Sequence, residues 1–178
     1  MAQYGNQSPR GGGPSRPGGG FAGQRGGHGG RGGPGSGNRI AEILRNPRPV
    51  RYFADPEGRA INRDQLDTEA QRLAETFGQS AKSAQLRRFY GDVMALKRQV
   101  ETDRTLPDDA IRAQLALLKA KAAYAKARDN KLPDEFLRFF NDNAEAVKGR
   151  KDFGAFVRYF EAVIAFHKVY NPNDKEER

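Results

Sequence analysis

Cysteine is missing altogether from the 178 residues, which excludes disulfides, thiolate metal sites and a thiol nucleophile and fits a reducing compartment. Histidine is nearly absent, with only His28 and His167 in the chain. There is no Gly-Lys-Ser phosphate loop and no metal-spaced cluster, so no catalytic residue, metal or cofactor is expected. No apolar run approaches the roughly 18 residues that span a bilayer, and the first residues lack a signal-peptide stretch. The expected location is therefore the cytoplasm, without a membrane partner. Strand signals are also lacking, because the few β-branched residues fall inside 3.6-residue patterns. Acidic residues do not occur before Glu42.

What that acid-free stretch does contain is glycine and arginine. Residues 1–37 hold sixteen of the 21 glycines and almost no aliphatic side chains, too little apolar surface to offset the entropy of ordering. A disordered tail is predicted. Arg10-Gly11-Gly12, Arg25-Gly26-Gly27 and Arg31-Gly32-Gly33, with Tyr4 and Phe21 among them, form an arginine-glycine box. Such a segment binds RNA with little sequence preference, through guanidinium groups that pair with phosphates and stack on bases. The bland alternative is a soluble extension.

The formal net charge of +9 points to a polyanionic partner. Its distribution is uneven. Up to residue 60, nine arginines face three acids, a balance of +6, and the remaining 22 basic and 19 acidic residues leave +3. A folded region that binds anions must therefore do so through a patch.

Residues 38–61 contain Pro47, Pro49 and Pro56 and read as a linker with a short helical turn at Ile40–Leu44. Residues 62–172 are helical throughout, and 173–178 form a charged C-terminal tail. Leu66, Ala70, Leu73, Ala74 and Phe77 share one face before Gly78 stops the helix. Ser83 is a plausible N-cap for a stripe of Leu86, Phe89, Tyr90, Val93, Leu96 and Val100.

Pro107 at a first helical position, followed by Asp108 and Asp109, opens the next helix, with Ile111, Leu115, Leu118, Ala122 and Ala125 as its stripe. Pro133 with Asp134 and Glu135 repeats the signal ahead of Phe136, Phe140, Ala144 and Val147. A last helix from near Asp152 carries Phe153, Phe156, Val157, Phe160, Val163, Ile164 and His167 and ends at Asn171-Pro172. The predicted fold is all-α, a compact antiparallel bundle of about five helices behind the disordered tail.

Two features that resemble chemistry have plainer explanations. His167 continues an apolar stripe and reads as a core or interface residue rather than a base. Adjacent carboxylates such as Asp108 and Asp109 point about 100° apart on a helix and serve its dipole instead of each other. The basic residues are more informative. Arg87, Gly91 and Arg98 fall on one strip beside the apolar face, with Arg88 further round towards solvent. Lys121 and Arg128 align with Leu117 and Tyr124 on one flank of the following helix, and Arg112, Lys119 and Lys126 line the other. Cations and an aromatic ring on one surface suit an RNA backbone, although lysine-rich helix faces are usually solvated surface.

Three stretches resemble a known family: Ser83-Ala-Gln-Leu-Arg87-Arg88-Phe-Tyr90, Leu117-Leu-Lys119-Ala-Lys121-Ala-Ala-Tyr124-Ala-Lys-Ala-Arg128, and Phe156-Val-Arg158-Tyr-Phe160-Glu161-Ala-Val-Ile-Ala-Phe-His-Lys168. In order and context they are similar to the small subunit of the Csm-type (type III-A) CRISPR-Cas effector complex, over about residues 64–172. The resemblance implies a non-catalytic protein of an antiviral ribonucleoprotein, stacked in several copies beside the backbone subunits that hold the guide RNA. It would contact the guide-target duplex through phosphates without reading bases. Cutting of target RNA would belong to the backbone subunit, and other chemistry to the large subunit.

Carried over by position, Gln85, Arg87, Arg88, Lys119, Lys121, Tyr124 and Arg128 would face RNA, and Arg98 extends the strip of Arg87. Glu161 would pair with a basic neighbour. Ala127 departs from the family pattern, which often has glycine there, and this implies a helix that continues a further turn and swings Arg128. Residues 1–61 lie outside the resemblance. The alternative function is a stand-alone arginine-glycine-box RNA-binding or chaperone protein whose bundle dimerises, and a small hydrolase is a distant third because no nucleophile has a credible base.

Overall fold

The computed structural model describes residues 36–78, 81, 83–129 and 131–170. The arginine-glycine box, the 173–178 tail and the capping side chain expected at Ser83 lie outside the described residues. Among them are α1 (Ser36–Arg45), a π-helical turn (Gln65–Glu69) that runs into α2 (Ala70–Gly78), α3 (Ser83–Thr102), α4 (Asp108–Arg128), α5 (Asp134–Ala146) and α6 (Arg150–Tyr170). The described residues contain no strand beyond a single bridge between Phe53 and Ile61. No described helix is long and apolar enough to cross a membrane.

Local chemistry sets the helix ends. Pro107 and Pro133 are extended, with φ of −69° and −67°. They stand in the capping position, one residue ahead of the predicted first helical position. Asp108 and Asp109, and Asp134 and Glu135, then occupy the first turns at the positive end of each dipole. Gly78 ends α2. α4 stops at Arg128, where Asp129 turns extended (φ −119°, ψ 94°), so the further turn implied by Ala127 does not form.

The order of contacts along the chain shows that α3 and α4 run antiparallel, since Asp92 meets Lys121 while Gln85 and Arg128 share one end of the groove between them. α4 and α5 are likewise antiparallel, through Lys119–Glu145 and Lys126–Asp134. α2 packs chiefly on α6, and α4 on α5.

The core is aromatic. Phe77, Phe136, Phe153, Phe156 and Phe160 are fully buried, and Phe139 stands at the centre, with ring centroids 5.2–6.2 Å from Phe77, Phe140, Phe156, Tyr159 and Phe160. The predicted α5 stripe omitted Phe139 and Leu137. It could not place them, because α5 is central and covered nearly all round, including by Asn141, Asp142 and Asn143.

Those three consecutive buried polar residues are explained by the segment expected as a linker. α1 lies alongside α5 in the same direction, with Arg39 bonded to Asp134 and the Ile43 carbonyl accepting from Asn141 Nδ2 at 2.9 Å. The chain then crosses α5 as an arm: the Arg48 N–H donates to Asp142 Oδ1 (2.9 Å) and the Tyr52 hydroxyl to Asn143 Oδ1 (2.7 Å). Ile43 and Tyr52 are core residues. Residues 38–61 thus include a full α-helical segment and a packed arm where a linker and a short turn were expected.

Candidate nucleic-acid interface

A groove runs between α3 and α4 on the surface away from α5. Steps of three and four bring Gln85, Arg88 and Asp92 to the α3 wall, and Lys121, Tyr124 and Arg128 form the α4 wall, around a cleft of about 420 Å³. Beyond Asp92 and Lys121 the groove continues between Ala95, Gln99, Gln114 and Leu117 and becomes uncharged. Tyr124 is 67% exposed and Leu117 is 56% exposed, large apolar surfaces that the core does not use.

The cations of the groove differ in how their neighbours engage them. Lys121 Nζ lies 2.7 Å from Asp92 Oδ2. Arg88 has no salt bridge or hydrogen bond within the described residues, and Arg128 places its guanidinium 5.8 Å from the Tyr124 ring centroid, a cation-π arrangement that leaves its N–H groups available. The groove end formed by Gln85, Arg88, Tyr124 and Arg128 is therefore cationic, with one flat aromatic face.

Five of the eight residues singled out from the sequence thus meet in one groove: Gln85, Arg88, Lys121, Tyr124 and Arg128. Arg87 and Arg98 do not line it. Arg87 is one residue, about 100°, round from Arg88, and Arg98 returns to within about 20° of the same line; both are exposed on the outer face of α3. The expected order around α3 is thereby reversed: Arg88 faces the neighbouring helix, and Arg87 points to solvent. Lys119 lies on the opposite flank of α4, 2.8 Å from Glu145 of α5. Its ammonium holds the Glu145 carboxyl below the usual range.

That opposite flank is neutralised along its length. Arg112 pairs with Asp109 at 2.9 Å. Lys126, read from the sequence as a surface cation, is only 7% exposed, because it reaches inward to Asp134 (3.2 Å) and the Leu132 carbonyl. Burial pushes Asp134 up, but hydrogen bonds from Arg39 and Lys126 outweigh it and hold its carboxyl below the ordinary value. Asp92, the acid inside the groove, had no sequence signal, since nothing in the local pattern says that Lys121 stands opposite.

Elsewhere, His167 is 4% exposed in the core stripe of α6. Glu161 meets Lys97 of α3 at 3.4 Å, the basic neighbour that the resemblance implied.

No curated protein and no solved structure matches the chain. The family model described as Csm2 Type III-A matches residues 60–173, which include α2 to α6 and both walls of the groove. The chain belongs to the Csm2 type III-A family, the small subunits of type III-A CRISPR effector complexes.

Proposed function

We propose that this chain is a non-catalytic RNA-contacting subunit that lays its α3–α4 groove against the sugar-phosphate backbone of a guide-target RNA duplex in the cytoplasm. Several copies stack beside the backbone and large subunits, which supply the chemistry. The observation that carries this reading is the convergence of Arg88, Arg128 and Tyr124 at one groove end, with neither arginine engaged by a described carboxylate. Arginine forks match phosphate oxygens bidentately. Tyr124 offers a face on which a base or ribose can rest. Gln85 adds a neutral donor, and Lys121 is shared between Asp92 and a phosphate. Arg87 and Arg98 widen the cationic face outside the groove. Lys119 drops out of the contact set, because Glu145 engages it.

None of these groups forms a nucleophile-base pair, which supports holding the strand over cutting it. Binding of this kind is indifferent to sequence and falls steeply with salt. In the assembled complex, Arg88→Ala with Arg128→Ala should weaken target-RNA binding by about tenfold or more and reduce the slope of log K against log salt by about 1.8 per subunit affected. The control pair, Arg112→Ala with Lys119→Ala, should change neither by more than about twofold. Equal losses from the two pairs would transfer the contact away from the groove.

A further inference from the structure

α4 carries apolar side chains on two faces. The face of Ile111, Leu115 and Leu118 packs in the core. The other consists of Ala113, Ala116, Leu117, Ala120, Tyr124 and Ala127, all exposed. At about 100° per residue these six fall in a sector about 100° wide and about 21 Å long. No charged side chain enters it between residues 113 and 127. Lys121 and Arg128 bound it on the groove side, and Arg112 and Lys119 on the other, where carboxylates engage both.

Alanine on a helix surface is ordinary, since it is the best helix former, and a lone exposed apolar side chain needs no partner. Leu117 and Tyr124 differ because they stand two turns apart in one sector, 56% and 67% exposed, among alanines only. A helix that is apolar all round is normally a covered helix.

Size and charge indicate what covers it. The sector is small at its centre and ends, with one large side chain on either side of the centre. A second α4 laid against it in the opposite direction, with Ala120 on Ala120, sets Ala113 of one copy on Ala127 of the other. Tyr124 of each then lies over Ala116 of the other, so large side chains meet small ones. Charge selects this direction. Arg128, in the basic last turn, comes beside the acidic first turn of the other copy, where the Asp109 side chain is 87% exposed, and the helix dipoles oppose. Parallel pairing would set Asp109 against Asp109 and Arg128 against Arg128.

We propose that two copies of the free chain pair through this sector, antiparallel about a two-fold axis at Ala120. Such a contact uses one surface and closes on itself, whereas a stack needs two. It buries roughly 800–1,000 Å² in all, below the about 1,200 Å² at which stable specific complexes begin, so pairing rises with concentration. Tyr124 also faces the α3–α4 groove. Resting on the groove reading above, pairing and RNA therefore exclude each other: the free subunit covers the aromatic face that assembly onto RNA uncovers.

The absence of cysteine makes the test clean. The axis brings each Ala120 within disulfide reach of its counterpart, about 6 Å between Cα atoms, and leaves the two Ala113 residues about 21 Å apart. Under oxidation, the free full chain carrying Ala120→Cys should form a covalent dimer. Ala113→Cys alone and Ala127→Cys alone should not, but an equal mixture of those two should. In sedimentation, the parent should show a monomer–dimer equilibrium that Ala120→Arg, which sets like charges on the axis, weakens at least tenfold. In the assembled complex on target RNA, the Ala120→Cys cross-link should be lost.

The proposal is overturned if the parent sediments as a monomer through the high micromolar range, if Ala120→Arg dimerises as well as the parent, or if Ala113→Cys alone cross-links as readily as Ala120→Cys. Persistence of the Ala120→Cys cross-link in the RNA-bound complex overturns the exclusion. The free-chain pattern involves no RNA, so it stands apart from the groove reading, which Arg88→Ala with Arg128→Ala tests.

Discussion

Replacing Tyr52 with phenylalanine tests whether the arm is part of the folded body. The change removes a single oxygen, which donates to Asn143 Oδ1 at 2.7 Å. Tyr52 is 4% exposed and Asn143 is 1% exposed, so water cannot replace the lost donor. Asn143 cannot turn to find another partner without breaking its own bond to the Phe139 carbonyl, 2.6 Å away. An acceptor stranded in this way costs about 1–3 kcal/mol. At this chain length, a loss of that size lowers the melting temperature by about 2–4 °C per kcal/mol, or about 2–12 °C in all.

The assay is thermal and urea unfolding of the parent and Tyr52→Phe, with Arg59→Ala as the control on the same arm. Arg59 is exposed and pairs with Glu57 at 3.3 Å, so its removal should cost less than about 0.5 kcal/mol. The urea slope should stay the same in both variants, because the surface exposed on unfolding is unchanged. A Tyr52→Phe shift no larger than that of Arg59→Ala would refute the seating of the arm on α5.

Three further outcomes follow from other contacts. Arg150 donates to the carbonyls of Asp103 and Leu106 at 2.8 Å each and pins the α3–α4 loop; Arg150→Leu should destabilise by about 1.5–3 kcal/mol in urea unfolding. At Gly149 an added Cβ would lie 2.6 Å from Asp108 Oδ2, so the carboxylate must swing away and its Oδ1 must release the Arg150 N–H that it accepts at 3.2 Å; Gly149→Ala should therefore cost about 0.5–1.5 kcal/mol. Asp134 and Glu145 are held below the ordinary carboxylate range, so they add stability above about pH 4 that disappears as pH falls through their lowered folded values. Asp142 is shifted the other way by burial and relieves part of that loss by taking up its proton early. Stability measured against pH should therefore fall less steeply in Asp134→Asn than in the parent.

The helices were legible because each carries its own local signal: a proline and two acids at the start of α4 and α5, a glycine at the end of α2, and stripes of Phe and Leu at helical spacing. α5 exceeded that signal. Its amphipathic pattern predicts one buried face, whereas Phe139 is buried among the rings of α2 and α6, and Asn141 and Asn143 bond to α1 and the arm from nearly 100 residues away in sequence. Prolines 47, 49 and 56 read as linker for the same reason. They do exclude a helix, but an arm held by hydrogen bonds to side chains of α5 needs no periodic pattern.

In the candidate site, the residue types were legible and the choice of flank was not. Spacing placed Lys121 with Tyr124 and Arg128, and Arg112 with Lys119 and Lys126, as two equivalent strips. Only the tertiary partners Glu145 and Asp134 show that the second strip is consumed internally. Arg88 and Arg87 were transposed because a bundle with two neighbours on α3 leaves its solvent line between them, which the apolar stripe alone does not fix.

The most direct test of the RNA contact is to place a photoreactive amino acid, p-benzoylphenylalanine, at the exposed position 124 and irradiate the assembled complex bound to target RNA. Cross-links to RNA are predicted at this position, with similar yields for targets of unrelated sequence, and none from the same group at position 112 on the neutralised flank. Cross-links from position 124 to protein alone, with RNA captured from position 112, would contradict the account.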